Sequence, residues 1–383
     1  MAAPDFAWFF GASTNPPASP SALYSAASSG SAEQLADAIS SGSSDTRVNG
    51  WLAVHAAAAK GHAKCVELLV KAQGGAALLS RTAPGELALH LCAKHGHLEC
   101  LTFLLGRDDS SASSDDRTLV DTPDEKGYSP LHHASYGGHL DTVQWLIESG
   151  KANSKAATSE GMTPLLVAAA KGEVAVFDYL TSVDGGALAT VQSVGGANAL
   201  HKAAAAGHLP IVVTMLALKT PDGQPLLDVN AKTMHGTTAL HFASSGGHVG
   251  VLQALVTGGA DAHALTPVGQ NGLHKACFEG HVGAVETLLD FGVDPACSDS
   301  KGYTPLHCAA SGGQHRIVDR FCNGTGQLVD VCARLPSGED AAILAANNGF
   351  QDLASKLTRL MFIKLRTESH IAAMRGVHVP VGV

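Results

Sequence analysis

The chain has 383 residues, with 25 Lys and Arg against 34 Asp and Glu, which gives a formal net charge of -9. Apolar residues make up 45% of the sequence, enough to bury a core, so a wholly disordered protein is excluded. The acidic balance offers no general field for phosphate groups, so we expect no nucleic acid partner.

Residues 1–20 combine four closely spaced aromatic side chains with a stretch rich in Pro and Ser, which predicts an extended, flexible segment. The segment has no basic start and only a short apolar run, so no signal peptide is predicted. Aromatic side chains are unfavourable in water, so we expect these four to be buried, either as a cover for the open end of the following fold or as an anchor in a partner. They are Phe6, Trp8, Phe9 and Phe10.

From residue 21 to residue 365 one pattern recurs: a Gly, a His five residues later, and then a Gly-His step. Clear copies begin at Gly50, Gly85, Gly127, Gly161, Gly196, Gly236, Gly269 and Gly302. A degraded copy begins at Gly338 and a partial one at Ala22, so about ten repeats form a single predicted domain. Longer intervals locate two insertions, near 107–118 and 219–225; the first is polar and acidic.

Each repeat is predicted to form two helices. In the copy 127–150, Ser129 can cap a helix that begins at Pro130, where the missing N–H is not needed. Gly138 can end this helix because Gly adopts the left-handed conformation readily. A second helix then carries an apolar stripe that begins at Val143. Neither helix can bury its apolar face alone, so neighbouring repeats must stack.

The repeats resemble those of the ankyrin family. Three copies of its T-P-L-H-x-A signature are Ser129-Pro130-Leu131-His132-His133-Ala134, Thr163-Pro164-Leu165-Leu166 and Thr304-Pro305-Leu306-His307-Cys308-Ala309. The Gly-His step matches at His62, His97, His139, His208, His248 and His281. The resemblance covers about nine-tenths of the chain. It implies an all-α solenoid of stacked antiparallel helix pairs with projecting hairpin loops and a concave face that binds proteins.

In this family the concave face is formed by residues beside the leading Gly and just before the Gly-His step. Carried over position by position, the expected partner-binding residues are Trp51, Glu86, Lys126, Tyr128, Tyr136, Met162, His235, Phe278, Glu279, Lys301 and Tyr303. Further large side chains at these positions are Lys60, Lys94, His95 and Lys171. Tyr and Trp are frequent anchors in protein interfaces.

The residues that carry chemistry do not form a recognisable catalytic or metal site. Most of the 20 His stand in the two repeating columns, which indicates a role in building the repeat. No phosphate-binding, serine hydrolase, zinc protease or kinase motif is found, so we predict no enzyme, cofactor or metal. The eight Cys lack C-x-x-C spacing, and scattered thiols are typical of a reducing compartment, the cytoplasm or nucleus.

The C-terminal end is locally basic and is followed by a tail at 366–383. A last helix from about Gln351 continues its apolar residues beyond one stripe, at Phe362, Ile363 and Leu365. Two interpretations stay open: a cap on the final repeat, or an amphipathic helix that docks on a partner or an acidic surface.

The sequence therefore predicts a non-enzymatic scaffold or adaptor that binds a partner protein on its concave face. One alternative is a fixed subunit or assembly factor of a large complex, held through its termini. Another is a substrate-targeting adaptor of a ubiquitin ligase or of another enzyme, although no motif for such a ligase is recognised. The protein is expected to be a monomer or part of a hetero-complex, and no stretch is apolar over the roughly 18 residues needed to span a bilayer.

Overall fold

The computed structural model describes residues 21–106, 116–183, 185–220, 222–323 and 329–374. Within these ranges the regular structure is helical and β-pairing is confined to three isolated bridges, so the predicted all-α class is confirmed. The aromatic segment with Phe6, Trp8, Phe9 and Phe10 lies outside the described residues, and so do most of the acidic insertion and the last nine residues. The expectations for those parts stay predictions.

The chain forms two compact units, residues 1–202 and 203–383. The first contains α1 (Ala22–Ser29), α2 (Ala32–Ser40), α3 (Ala53–Ala59), α4 (Ala63–Gln73), α5 (Gly75–Leu79), α6 (Ala88–His95), α7 (Leu98–Leu105), α8 (Pro130–Gly137), α9 (Leu140–Glu148), α10 (Pro164–Lys171) and α11 (Val174–Val183). Helix α12 (Ala199–Ala206) contains the boundary. The second unit contains α13 (Leu209–Ala217), α14 (Ala239–Gly246), α15 (Val249–Thr257), α16 (Gly272–Glu279), α17 (Val282–Asp290), α18 (Pro305–Ser311), α19 (His315–Asn323), α20 (Ala341–Asn347) and α21 (Gln351–Met374).

Each repeat consists of a short first helix and a second helix that packs against it. In the first unit the first helices stack in the order α1, α3, α6, α8 and α10, and in the second unit α14, α16, α18 and α20 do the same. A 3-10 helix at Asp116–Asp121, which overlaps the end of the predicted insertion, packs on α7 and α8. The predicted arrangement of stacked helix pairs is therefore present in each unit.

Small side chains allow the first helices to lie close together. In α3, Ala53, Ala57 and Ala58 have no exposed surface, and the equivalent positions of later repeats carry Ala or another compact residue, namely Gly, Ser, Cys or Pro. Packed helices are separated by about 8–10 Å, and Ala favours the short end of that range. The second helices supply larger apolar groups, such as Leu69 and Leu101, which are fully buried.

A first column of histidines joins each repeat to the next. His132 accepts a hydrogen bond at Nδ1 from the backbone N–H of Ser129, at 3.1 Å, and donates from Nε2 to the carbonyl oxygen of Met162, at 3.0 Å. The ring thus caps its own helix and holds the following loop. The same bridge, with a carbonyl acceptor in the following loop, is made by His55, His90, His241, His274 and His307.

A second column of residues joins each repeat to the one before. His97 donates from Nε2 to the carbonyl oxygen of Ala59 at 3.1 Å, and its ring lies over Gly61. A Cβ atom on Gly61 would come within 2.5 Å of that ring, and its φ of +74° also disfavours other residues. Gln314 stands where a histidine is expected, yet its side-chain amide donates to the carbonyl oxygen of Phe278 at 3.0 Å and so preserves the link.

The bridging histidines should make stability depend on pH. Burial lowers the pKa of His132 and of His241 to about 4, below the ordinary value of 6.5. The unfolded chain therefore binds more protons than the folded chain between these values, so stability is complete above pH 6.5 and falls as the pH drops toward 4. Relative to neutral pH, each such histidine should lower the free energy of unfolding by about 2 kcal/mol at pH 5.

Urea unfolding between pH 7.5 and 5 would measure this loss. The variant His132→Leu should be less stable at neutral pH, because Ser129 and Met162 lose their partner, but should show a smaller loss on acidification. An equal pH dependence in the variant and the unchanged chain would contradict the assignment.

The repeat that begins at Gly161 should be the least protected part of the first unit. It has Leu166 and Glu173 in place of the two histidines. Thr163 still caps the first helix, but a Leu side chain forms no bridge and an ionised Glu cannot donate to a carbonyl. We expect faster amide hydrogen exchange at 161–183 than at 127–150 and 236–257, because stability in repeat arrays depends on nearest-neighbour contacts. Uniform protection across the three stretches would argue against it.

Candidate partner-binding surface

The loops that precede the first helices are held by side chains of their own. Asp124 accepts hydrogen bonds at Oδ1 from the backbone N–H groups of Lys126 and Tyr128, both at 2.9 Å. Asp299 does the same for Lys301 and Tyr303, also at 2.9 Å. At the same position Thr82, Thr158, Thr233 and Thr266 each accept one backbone N–H. These turns fix the backbone and leave the residue before the Gly exposed.

Backbone hydrogen bonds join successive loop tips. In the first unit Val194 donates from its N–H to the carbonyl oxygen of Glu160, at 2.9 Å. In the second unit Ser300 donates to Val268 at 3.0 Å. Because these links use main-chain atoms only, the tips keep their spacing whatever side chains they carry.

The end of each first helix lies next to the loop of the same repeat. Lys94, near the end of α6, places its Nζ 3.7 Å from Oε1 of Glu86 in the preceding loop. Neighbouring helix ends also meet, since Nζ of Lys171 lies 4.2 Å from the centre of the Tyr136 ring. We call the surface made by loop tips and first-helix ends the loop face; it contains the residues mapped from the family pattern.

The structure divides the predicted residues into three groups. Lys126, His235, Phe278, Glu279 and Lys301 are exposed, and Phe278 has 46% of its surface accessible. Trp51, Tyr136 and Tyr303 are half-buried. Glu86, Tyr128 and Met162 are buried, with 5%, 8% and 4% of their surface accessible. These last three are not available as exposed contacts, so we leave them out of the surface proposed below.

Tyr128 is buried because two imidazole rings cover it. Its ring meets those of His132 and His133 edge-on, with centroids 5.5 Å and 6.2 Å apart. Burial raises the pKa of the Tyr128 hydroxyl to about 12. His133 is itself held by Asp124, whose Oδ2 lies 3.0 Å from Nε2 of the ring. Burial raises the pKa of this carboxyl, but the hydrogen bonds from His133 and the backbone outweigh it and keep the pKa below its usual value.

The mapping missed three exposed apolar residues on loops of the second unit. Met234, Leu265 and Val268 have 75%, 51% and 48% of their surface accessible. Met234 lies two residues before its leading Gly and Val268 lies one residue before its own, at positions whose residue type varies from Val194 to Lys126 among the other repeats. An apolar residue at such a loop tip is the sequence signal that could have identified them.

No three His, Cys, Asp or Glu side chains among the described residues are grouped so as to hold a metal ion. In the same part of the chain, no helix combines the length and the apolar character that a membrane span requires. All eight cysteines are free thiols.

Comparison with known families agrees with this geometry. The family described as "Ankyrin repeats (3 copies)" matches residues 23–116, 112–193 and 185–266, and "Ankyrin repeats (many copies)" matches residues 273–321. Human ankyrin repeat domain-containing protein 49 is 57% identical to the chain over 37 residues, 10% of this chain and 16% of that protein. The matched stretch is thus about one repeat long and says nothing of shared partners. From the helix pairs, the bridging histidines and these matches together, the chain belongs to the ankyrin repeat family.

Proposed function

We propose that this protein is a non-enzymatic scaffold that binds a partner protein on its loop face. Ankyrin repeats generally mediate interactions between proteins. The observation that carries the proposal is a set of large side chains that remain accessible on rigid supports. Phe278 lies at the end of α16, and Trp51 and Tyr303 lie beside turns that the structure holds by hydrogen bonds. Aromatic groups on a fixed backbone lose little freedom on binding, which is typical of interface anchors.

The free cysteines support a reducing compartment for this activity, and we propose the cytoplasm or the nucleus. Buried thiols such as Cys92 and Cys277 have their pKa raised, first of all by burial, which keeps them unreactive. They behave as small apolar core residues.

Alanine at the four accessible aromatic positions should abolish partner capture. The variant combines Trp51→Ala, Tyr136→Ala, Phe278→Ala and Tyr303→Ala. Each anchor is worth about 2 kcal/mol or more, a loss of roughly 30-fold in affinity. Affinity purification with quantitative mass spectrometry would compare the bound proteins with those of the unchanged chain.

A matched control carries Trp145→Ala and Tyr179→Ala, which remove half-buried aromatic groups from the second helices α9 and α11. Proteins retained by the control but lost from the loop-face variant are the expected partners. Identical sets for all three chains, with unchanged melting temperatures, would refute the proposal.

A second candidate, a subunit held in a larger complex through its C-terminal end, is favoured by helix α21. Ion pairs from Lys356 to Asp319 and from Lys364 to Asp330 fasten one side of this helix to the repeats. Phe362 and Ile363 lie outside the buried stripe of this helix, which contains Leu353 and Leu357, and have 66% and 58% of their surface accessible. With Arg359 and Arg366 they stand at i, i+3, i+4 and i+7, which is one face of a helix.

Serine at both apolar positions tests this candidate. If the helix docks on a complex, Phe362→Ser with Ile363→Ser should move the protein from high-mass to low-mass fractions of a cell extract in size-exclusion chromatography, because the apolar contact is removed. The purified variant should melt at the same temperature, since neither side chain is buried in the chain itself. An unchanged elution profile would exclude docking through this face.

A further inference from the structure

Acidic and basic side chains are distributed unequally between the first helices and the second helices of the first unit; we call these two sets of helices the first-helix and second-helix layers. The first helices α1, α3, α6, α8, α10 and the start of α12 contain no Asp or Glu. Their cations, with the residue that directly follows α3, are Lys60, Lys94, Lys171 and Lys202. The second helices show the opposite balance, with Glu33, Asp37, Glu67, Glu99, Asp141, Glu148 and Asp178 against Lys64 and Lys71. The acidic character of the chain therefore does not extend to the first-helix layer.

Three of these lysines belong to the loop face. Lys60 is exposed directly after α3, Lys94 reaches toward the loop of its own repeat, and Lys171 lies over the ring of Tyr136. His95 is exposed beside Lys94. Burial lowers the pKa of His95, and the positive charge of Lys94 lowers it further, as expected where cations are concentrated.

Stabilisation of helix ends does not account for the positions of all four lysines. Cations at a helix C-terminus interact favourably with the helix dipole, which explains the position of Lys60, Lys94 and Lys171. Lys202, however, lies in the first half of α12, where the helix dipole does not stabilise it, and it is attracted by the carboxylate of Glu160 instead. The loops of this unit carry carboxylates, among them Glu86 beside Lys94, Asp124, Glu125 and Glu160, so the positive charge is confined to the surface formed by the helix ends.

We infer that the loop face of the first unit binds an acidic segment of its partner protein. This rests on the proposed function and specifies the chemistry of the partner. Helices of neighbouring repeats lie about 8–10 Å apart, which equals about three residues of an extended chain. The complementary segment therefore carries Asp or Glu about three residues apart opposite Lys60 and Lys94, and again about six residues further on opposite Lys171, with apolar groups between them that contact Trp51 and Tyr136. A nucleic acid is disfavoured because the acidic second helices would repel a long phosphate chain.

Fluorescence anisotropy with the full-length chain tests the inference directly. The probe is a labelled 12-residue oligoglutamate, compared with an oligolysine of the same length. We expect binding of the oligoglutamate alone, weakened at least tenfold between 20 and 200 mM salt, because exposed charges are screened. The variant Lys60→Glu with Lys171→Glu should lose at least a further tenfold in affinity.

The matched control is Lys64→Glu with Lys71→Glu, which changes the net charge equally but on α4 in the second-helix layer. It should bind the oligoglutamate within twofold of the unchanged chain, and circular dichroism should show both variants folded. Absence of oligoglutamate binding at 20 mM salt, or equal losses in both variants, would overturn the inference. So would tighter binding of a 12-residue single-stranded oligonucleotide that Lys60→Glu with Lys171→Glu abolishes.

The partner-capture experiment distinguishes a failure of this inference from a failure of the proposed scaffold function. If the four-alanine variant loses its partners while Lys60→Glu with Lys171→Glu keeps them, the scaffold function stands and the acidic partner is wrong. If both variants keep their partners, the loop face is not the binding surface at all. Loss of the same partners in both variants supports the two proposals together.

Discussion

The structure depends on one repeated interaction, a neutral imidazole that links the start of a helix to the loop of the next repeat. The short first helices could not be stable alone, and their N-terminal N–H groups would be left without partners in a packed interior. His132 satisfies Ser129 within its own repeat and Met162 in the next, so a single side chain closes the helix and sets the distance to its neighbour. Protonation would place a hydrogen on Nδ1 against the Ser129 N–H, so the bridge requires the neutral form.

Much of this architecture could be predicted from the sequence because the residues that start and end helices recur at the same positions in many repeats. A single Pro130 or Gly138 says little, but the same residues in phase over many copies fix where helices begin and end. The structure places α8 at Pro130–Gly137, as the caps predicted. The two histidine columns likewise indicate a role in building the repeat, whereas the atoms that each ring contacts are found only in the structure.

The accessibility of individual side chains could not be predicted, because it is decided by neighbours outside the motif. Tyr128 and Tyr303 occupy the same position in their repeats, yet the first is buried and the second is half-buried. Six residues after its leading Gly, the repeat of Tyr128 has His133, whose ring covers the tyrosine. The repeat of Tyr303 has the smaller Cys308 at the same position. Gln314 shows the converse, since a residue that breaks the motif still makes the expected contact.

The main-chain links between loop tips make the spacing of the repeats independent of the side chains that would contact a partner. Val194 and Glu160, or Ser300 and Val268, contribute only N–H and C=O groups to these links, so their side chains are not needed for the spacing of the repeats. Substitution at these positions can alter which molecule is bound without altering what holds the chain together. Related chains can thus diverge in partners while their backbones remain superimposable, and a new specificity could be selected in the laboratory by randomising these tips alone.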